Sequence, residues 1–255
     1  EEIFWRMLNH REFDVSEMSL SNYVTMMSRG ECPFVALPVF PSRFFRHSCI
    51  FIHAGSRIER PEDLRGKKVG APEYSITAAV WVRGFLKDDH GVRAQEIEWF
   101  IGGQEQPGRK DRLPLRLPPE IKVRELPPDK TLNQMLESGE IDAVISARIP
   151  SSFAKGSLKV RRLFPNYKEV EIEYYKRTKI FPIMHLLVIR KEIYDRHPWI
   201  AQSLTKAFCA AKERCYQNMH ISNALACTLP WLFAEMELLK SIFGPDWWPY
   251  GIEPN

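Results

Sequence analysis

The sequence lacks the short motifs that mark several common enzyme classes. It contains no Walker loop, no G-x-G-x-x-G, no G-x-S-x-G and no H-E-x-x-H. These absences remove the usual signatures of P-loop and dinucleotide binding, of α/β-hydrolase catalysis and of zincin chemistry. The cysteines have neither C-x-x-C nor zinc-knuckle spacing, and His47 with His53 is too weak a pair to indicate a metal site.

Long apolar runs and strong charge asymmetry are also missing. No window approaches the roughly 18 uninterrupted apolar residues of a membrane span. The net charge is only +4, and basic clusters such as Arg65–Lys68 and Arg161–Arg162 are short. Such clusters are more typical of solvated faces than of nucleic-acid grooves. We therefore expect neither a membrane nor a nucleic-acid partner.

The five cysteines are odd in number and lie in apolar surroundings. This pattern predicts buried free thiols in a reducing compartment, and so a cytoplasmic protein. They are Cys32, Cys49, Cys209, Cys215 and Cys227.

Both ends of the chain resemble interior sequence. Phe4, Met7 and Leu8 already have helical spacing without a capping residue ahead of them, and Glu253–Asn255 stops where another element would start. We expect the native chain to continue at both ends. The 255 residues are enough for one large domain or two modest ones.

Strands alternate with helices along most of the chain, which predicts the α/β class. Two sets of strands, separated near Ala71-Pro72 and again near Phe181-Pro182, predict two lobes joined by two crossings and a ligand cleft between them. The boundaries are 1–71 plus 182–255 for lobe I and 72–181 for lobe II. Predicted strands are 13–18, 34–40, 48–52, 67–71, 97–101, 121–126, 141–146, 160–165 and 181–189. Predicted helices are 22–29, 77–89, one ending at Gly139, 169–179, one starting at His197-Pro198 and one starting near Thr228.

The segment Phe40–Ser48 concentrates hydrogen-bonding and cationic side chains between two strands. It carries two arginines, a histidine and two serines. The planar fork of Arg43 or Arg46 matches the two oxygens of a carboxylate, so the segment suits an anionic ligand. The alternative is a solvated turn whose arginines face water.

Two further stretches lie where open α/β sheets bind ligands. Ser75 or Thr77 is predicted to cap a helix whose free N–H groups and positive dipole end would form an anion site. The alternative is a plain helix cap without a ligand. Arg148 follows the end of the buried strand 141–146, which is a favoured ligand position. The loop Gly102–Pro119 is long enough to be either functional or disordered.

Four more residues carry groups that can move or hold protons. His185 lies in the most hydrophobic strand, as a core histidine or as a proton donor in the cleft. His47 follows Arg46 and is placed either in a site or on the surface. Glu73 and Tyr74 offer a carboxylate and a phenol beside the predicted helix start, or serve local capping.

Several longer motifs run through nearly the whole chain. They are Phe13–Ser21, Phe40–Ser48, Gly70–Tyr74, Gly102-Gly103 with Pro107–Arg109, Ile145–Arg148, Phe181–His185 and Trp248–Asn255. Together they resemble the 4,5-dihydroxyphthalate decarboxylase family. The resemblance implies the type II periplasmic-binding-protein-like fold, with two α/β lobes, a double hinge and a ligand cleft.

The resemblance implies a small aromatic carboxylate substrate, decarboxylated non-oxidatively to protocatechuate within phthalate degradation. The substrate's own phenol can serve as the electron sink, so neither a cofactor nor a metal is expected. His185 is the first candidate for the proton donor and His47 the second. The predicted substrate-binding residues are Ser19, Ser21, Ser42, Arg43, Arg46, Glu73, Tyr74, Thr77 and Arg148.

Within that set, three arginines (43, 46 and 148) are expected to hold the carboxylate that stays. Glu73 or Tyr74 would orient the hydroxyl. The departing carboxylate needs an apolar face, from Phe44 or Met184, because a strong grip on it would stabilise the ground state. Two alternatives stay open: a solute-binding protein of a transporter for an aromatic or other small organic acid, and an enzyme for a different aromatic or heterocyclic acid. A homo-oligomer is also possible.

Overall fold

A computed structural model describes residues 2–223 and 225–255, and its strands form two separate sheets. The strands are β1 Val15–Ser19, β2 Phe34–Arg43, β3 Ile50–His53, β4 Lys68–Ala71, β5 Glu98–Ile101, β6 Val123–Glu125, β7 Ala143–Ile145, β8 Val160–Arg162 and β9 Ile183–Arg190. The helices are α1 Glu2–His10, α2 Leu20–Ser28, α3 Thr77–His90, α4 Leu132–Ser138, α5 Ser151–Ala154, α6 Tyr167–Thr178, α7 Lys191–Arg196, α8 Trp199–Met219 and α9 Leu232–Phe243.

The chain divides into two compact units. Unit 1 comprises the residues up to Met18, Met26–Arg43 and Tyr174–Asn255, and unit 2 comprises Ser19–Thr25 and Phe44–Glu173. The predicted α/β class is confirmed by the order of strands and helices. The predicted cleft stays a prediction.

The division differs from the predicted lobes in three places. Ser19–Thr25 belongs to unit 2, and the second boundary lies between Glu173 and Tyr174 rather than between residues 181 and 182. The first boundary lies between Arg43 and Phe44 rather than after Ala71. The physical reason is backbone pairing, since β3 and β4 both hydrogen-bond to β7 in the sheet of unit 2. Local sequence patterns identify these strands but not their partners.

Unit 1 is built on a three-stranded sheet in the order β1-β9-β2. β2 and β9 run antiparallel, from Phe34 opposite Arg190 to Ser42 opposite His185. Branched and aliphatic residues on the buried face pack against helix α8, which removes their apolar surface from water. These core residues are Leu37, Val39, Leu187 and Ile189, with Leu204 and Phe208 of the helix.

Unit 2 is built on a six-stranded sheet in the order β6-β5-β4-β7-β3-β8. β4 is parallel to β5 on one side and to β7 on the other. After β4 the chain first adds β5 and β6 on one side, and only then crosses to β7 on the other. The carboxyl ends of β4 and β7 therefore flank a topological switch point, where open sheets of this kind bind ligands.

Two local predictions need correction. Neither Ser75 nor Thr77 caps helix α3, because Ile76 occupies the N-cap position and makes no side-chain cap. The five thiols are free as predicted, but only Cys49 is buried. Cys32 and Cys209 are half-buried, while Cys215 and Cys227 are exposed. These last two lie in and after the amphipathic helix α8, outside the apolar core.

Within the described ranges, no helix combines the length and the apolarity that crossing a bilayer requires.

A close approach in the core of unit 2 can be tested at Gly70 in β4. A Cβ there would lie 2.5 Å from Leu132 Cδ2 and 3.0 Å from Ile141 Cδ1. We expect Gly70→Ala to destabilise the protein by about 1–3 kcal/mol through overpacking, measured by urea unfolding. Gly84→Ala is the control, because its Cβ meets nothing within 4 Å in helix α3. That variant should gain stability from helix propensity. Equal midpoints for the two variants would contradict the packing argument.

Candidate active site

In unit 1, a row of three side chains crosses the sheet at His185. His185 lies on the central strand β9, and its Cα partner on β2 is Ser42. On the other neighbouring strand, β1, Glu17 Oε1 lies 2.6 Å from His185 Nδ1. The β2–β9 ladder is irregular on both sides of Ser42, and such irregularities commonly re-aim side chains beside functional sites.

The surroundings of His185 are part apolar and part solvent. The ring of Phe4 from helix α1 packs edge-on against the imidazole, with centroids 4.7 Å apart. The side chain of His185 is 28% exposed and that of Glu17 is 36% exposed. His185 is therefore not a core histidine, and its ring can meet a ligand from solvent.

Arg43, the neighbour of Ser42, is bonded within unit 1. Its guanidinium donates to the carbonyl oxygens of Phe181 (3.2 Å) and Pro249 (2.7 Å), and also to the side-chain oxygen of Asn255. Burial lowers the pKa of Arg43 to about 10, since desolvation disfavours the charged form. The residue is 4% exposed, so it is not the solvated turn residue of the alternative interpretation.

In unit 2, a cluster of hydroxyl groups lies at the start of helix α3. Thr77 Oγ1 lies 2.8 Å from Ser19 Oγ and 3.0 Å from Ser21 Oγ. Ser21 also donates its N–H to Thr77 Oγ1 at 3.2 Å and its hydroxyl to the Ser75 carbonyl at 2.6 Å. The structure thus brings together three predicted site residues, of which Thr77 lies more than 50 positions from Ser19 and Ser21 in the sequence.

Glu73, beside this cluster, is a buried carboxylate that holds the loop after β5. Glu73 is 2% exposed. Arg109 donates to its Oε1 through Nε at 2.9 Å and Nη2 at 2.5 Å, and Arg112 Nε lies 3.4 Å from the same oxygen. A buried carboxylate needs such partners. These contacts compete with the predicted role of orienting a substrate hydroxyl.

Asp111 of the same loop occupies the backbone donors ahead of helix α3. Its carboxylate accepts from the N–H of Tyr74 (3.3 Å) and from the N–H (3.1 Å) and hydroxyl (2.8 Å) of Ser75. The sequence predicted an anion site formed by such backbone donors. In the structure the Asp111 carboxylate of the protein itself accepts their hydrogen bonds. The Tyr74 ring packs beneath the guanidinium of Arg83, and burial raises the pKa of its phenol.

A second cluster of polar residues in unit 2 lies at the carboxyl end of β7. Ser146 donates its hydroxyl to Gln104 Oε1 and accepts the Arg148 N–H at 3.2 Å. Gln104 Nε2 in turn donates to the Arg148 carbonyl at 3.2 Å. The Arg148 side chain itself is exposed, so this part of the switch point presents a cation at the surface of unit 2.

The start of β3 lies at the same edge of the sheet, because β3 is antiparallel to β7 and Ile50 faces Ile145. His47 is 3% exposed and stacks on Phe85 with centroids 4.1 Å apart. Its Nδ1 lies 3.9 Å from Glu171 Oε1, and Arg46 is also buried. The surface placement considered for His47 is therefore wrong.

Several residues of these groups had no predicted role. Glu17 and Arg109 fall within the motifs that carry the family resemblance, while Gln104, Asp111 and Arg112 belong to the long loop. The weak signal for Glu17 was its place two residues before Ser19. In the described part of the chain, no group of three or more His, Cys, Asp or Glu side chains is arranged to hold a metal ion.

Comparison with known proteins decides the family. No family model matches the chain. A curated protein of Comamonas testosteroni named 4,5-dihydroxyphthalate decarboxylase is 40% identical over 255 residues, which is 100% of this chain and 77% of that protein. The chain belongs to the 4,5-dihydroxyphthalate decarboxylase family. A protein of the same name from Pseudomonas putida is 45% identical over 176 residues, or 69% of this chain and 68% of that protein.

The resemblance found in the sequence motifs is thereby confirmed. The curated relatives are named as decarboxylases, so the predicted enzyme class, a carboxy-lyase, is confirmed at the level of the family. These names carry no residue roles, and the predicted site residues remain proposals.

Solved structures show weaker similarity. The periplasmic aliphatic sulphonate binding protein SsuA from Escherichia coli is 15% identical with a TM-score of 0.48, covering 83% of this chain and 60% of that one. The alkanesulfonate-binding protein SsuA from Xanthomonas axonopodis pv. citri is 11% identical with a TM-score of 0.48, covering 96% and 65%. The chain thus spans less than two thirds of either binding protein. At these TM-scores the similarity carries no argument about ligand or activity.

The buried Glu171 carboxyl predicts a pH-dependent stability difference. Burial raises its pKa, so its contribution to stability is complete below the ordinary Glu pKa and is lost as pH rises through the raised folded-state value. Glu171→Gln retains an oxygen that can accept the Ser48 N–H and removes the ionisation. We therefore expect the urea midpoint of the variant, relative to the unsubstituted protein, to be higher at pH 7 than at pH 4.

The control for this comparison is Glu169→Gln, an exposed position on the same helix. Its midpoint should follow that of the unsubstituted protein at both pH values. If the difference in urea midpoint between Glu171→Gln and the unsubstituted protein is the same at pH 4 and pH 7, folding does not raise the pKa of this carboxyl.

Proposed function

We propose that the protein decarboxylates 4,5-dihydroxyphthalate to 3,4-dihydroxybenzoate and CO₂ without oxidation. The observation that carries the proposal is the 40% identity, across the entire chain, to a protein of that name. The half-exposed imidazole of His185, held by a neighbouring carboxylate, supports it, because the reaction needs a positioned proton donor.

The reaction requires one proton and no redox change. Ionisation of the ring hydroxyl para to the departing carboxylate raises electron density at the carbon that bears it. His185, as imidazolium, gives its proton to that carbon, and a C–H bond forms. The C–C bond to the carboxylate then breaks, its electron pair restores the aromatic ring, and CO₂ leaves. Solvent returns the proton to His185.

His185 is a better donor than His47 on physical grounds. His47 is stacked on Phe85 and lies edge-on to Phe164, so a ring carbon of a substrate would have to displace this packing. The His185 side chain is 28% exposed, and its recorded aromatic contact is the edge-on ring of Phe4, without the stacked ring that covers His47. We therefore assign the acid role to His185 and a packing role to His47.

We propose that unit 2 provides the groups that bind the retained carboxylate. Arg148 is exposed at the carboxyl end of β7, and a charge-assisted contact from it would contribute about 1.5–3 kcal/mol. The hydroxyls of Ser19, Ser21 and Thr77 are suited to accompany it.

The remaining candidates take revised roles in this proposal. Arg43 organises unit 1 through carbonyl contacts rather than binding substrate, and Ser42 remains a contact beside His185. Arg46 is retained as a second cation at the edge of the unit 2 sheet. Glu73 holds the loop through its two arginines. Burial raises the pKa of the Tyr74 phenol, so its proposed role is that of a neutral hydrogen-bonding group.

The departing carboxylate is proposed to face an apolar group. An apolar surface destabilises the charged carboxylate of the ground state more than the transition state, in which that charge is already dispersed. Release of CO₂ is therefore faster beside an apolar group. Phe44 is 51% exposed, whereas Met184 is 1% exposed. Phe44 is therefore the better candidate of the two predicted, since Met184 would need a change of packing to reach a ligand.

The solute-binding alternative is not favoured, because both curated relatives are named as enzymes. A decarboxylase acting in aromatic catabolism is expected in the cytoplasm, which agrees with five free thiols. Cytoplasmic location stays a prediction, as does any homo-oligomer.

The test is turnover by the purified full-length protein. We expect 4,5-dihydroxyphthalate to give CO₂ and 3,4-dihydroxybenzoate in equal amounts. Chromatography measures the 3,4-dihydroxybenzoate. Phthalate, which lacks both hydroxyls, is the control substrate and should not react, because no phenol can supply electrons to the ring. Tight calorimetric binding of 4,5-dihydroxyphthalate without product would instead establish the solute-binding function.

The acid role of His185 predicts a loss concentrated in kcat. His185→Gln removes the transferable proton and approximately keeps the size of the side chain, so we expect kcat to fall about 10²- to 10⁴-fold with a smaller change in KM. His220→Gln, at an exposed histidine of unit 1, is the matched control and should stay within about twofold. If His185→Gln retains near-normal kcat, another group donates the proton.

A further inference from the structure

The contact between Glu17 and His185 determines which nitrogen of the imidazole is available. An ionised carboxylate only accepts hydrogen bonds. Glu17 Oε1 lies 2.6 Å from Nδ1, so an ionised Glu17 requires the hydrogen of this contact to be on Nδ1. The other nitrogen, Nε2, is then the one that exchanges protons with a ligand.

The setting of this pair differs from that of an ordinary surface ion pair. Both residues lie on neighbouring strands of the unit 1 sheet, β1 and β9, so the backbone fixes the distance between them. Phe4 packs on the imidazole from helix α1, and uncharged Ser42 lies opposite on β2. Among the described residues, Glu17 is the one charged group recorded in contact with His185.

We propose that Glu17 is the positioning residue of the reaction. It holds the His185 ring in one orientation and one tautomer, with Nε2 directed away from the carboxylate, and it stabilises the imidazolium that donates the proton. This inference rests on the proposed decarboxylation. Glu17 does not touch the reacting carbon and acts through His185.

Each proton is accounted for. The imidazolium carries hydrogens on both nitrogens. The Nε2 hydrogen moves to the ring carbon before the C–C bond to the carboxylate breaks, while the Nδ1 hydrogen stays in its bond to Glu17. The neutral imidazole that remains has the tautomer that Glu17 already favours, so no ring rotation or second proton transfer is needed before solvent reprotonates Nε2.

Three substitutions separate charge, hydrogen bond and shape. Glu17→Gln removes the charge, Glu17→Ala removes the acceptor, and Glu17→Asp keeps the carboxylate on a shorter arm. We expect kcat to fall about 10- to 100-fold in the first two, with KM within about threefold. Glu17→Asp should recover part of that loss. Glu31→Gln, at an exposed position in unit 1, is the matched control and should leave kcat unchanged.

A second readout does not depend on turnover. Nitrogen-15 NMR of the full-length protein labelled at histidine, with His185→Gln to assign the signal, reports which ring nitrogen is protonated. In the unsubstituted protein, we expect the neutral imidazole of His185 to carry its hydrogen on Nδ1. In Glu17→Ala, we expect the signals of a mixture of the two tautomers. Urea midpoints measured alongside identify any variant that does not fold.

The outcomes separate this inference from the proposed function. Normal kcat in folded Glu17→Ala, or an unchanged tautomer signal, overturns the positioning role and leaves the decarboxylation standing. Absence of turnover in the unsubstituted protein overturns the proposed function, and the NMR result then still decides whether Glu17 sets the tautomer. A rise in KM with unchanged kcat would assign Glu17 to substrate binding and contradict the proposal.

Discussion

The parallel pairing of β4 with both β5 and β7 is the constraint on which the polar groups of unit 2 depend. Because β4 is central, the segments that follow β4, β5 and β7 all emerge at one edge of the sheet. The hydroxyl cluster around Thr77, the Glu73 carboxylate and Arg148 are placed there by this strand order. A different order would scatter the same residues along the sheet.

Charged groups of this protein divide by burial into two kinds. Glu73 and Arg43 are nearly inaccessible and spend their hydrogen bonds on the protein itself, through two arginines of the loop in one case and main-chain carbonyls in the other. Such pairing is what makes a buried charge tolerable. His185, Glu17 and Arg148 keep solvent access, and the proposed function draws on them for this reason.

Sequence patterns predicted the elements well because helices and strands depend on near neighbours. The helix ending at Gly139 is an example, since that glycine adopts a left-handed conformation that closes α4. The partner of a strand is a long-range property, and this is why the first unit boundary was misplaced. The hydrogen-bond partners of Arg43 could not be predicted either, because the accepting carbonyls of Phe181 and Pro249 lie more than 130 residues away in the sequence.

The amino-acid sequence by itself determined the α/β class, the position of most elements, the family and a set of candidate polar residues that includes His185. Only the tertiary structure decided which of these residues have partners. In the tertiary structure, Glu17 contacts His185 from the neighbouring strand, and Asp111 accepts hydrogen bonds from the backbone N–H groups ahead of α3. His47 is buried between aromatic rings. The physical reason is that hydrogen bonds and burial depend on the distance between side chains in space, which a single sequence records only for near neighbours along the chain.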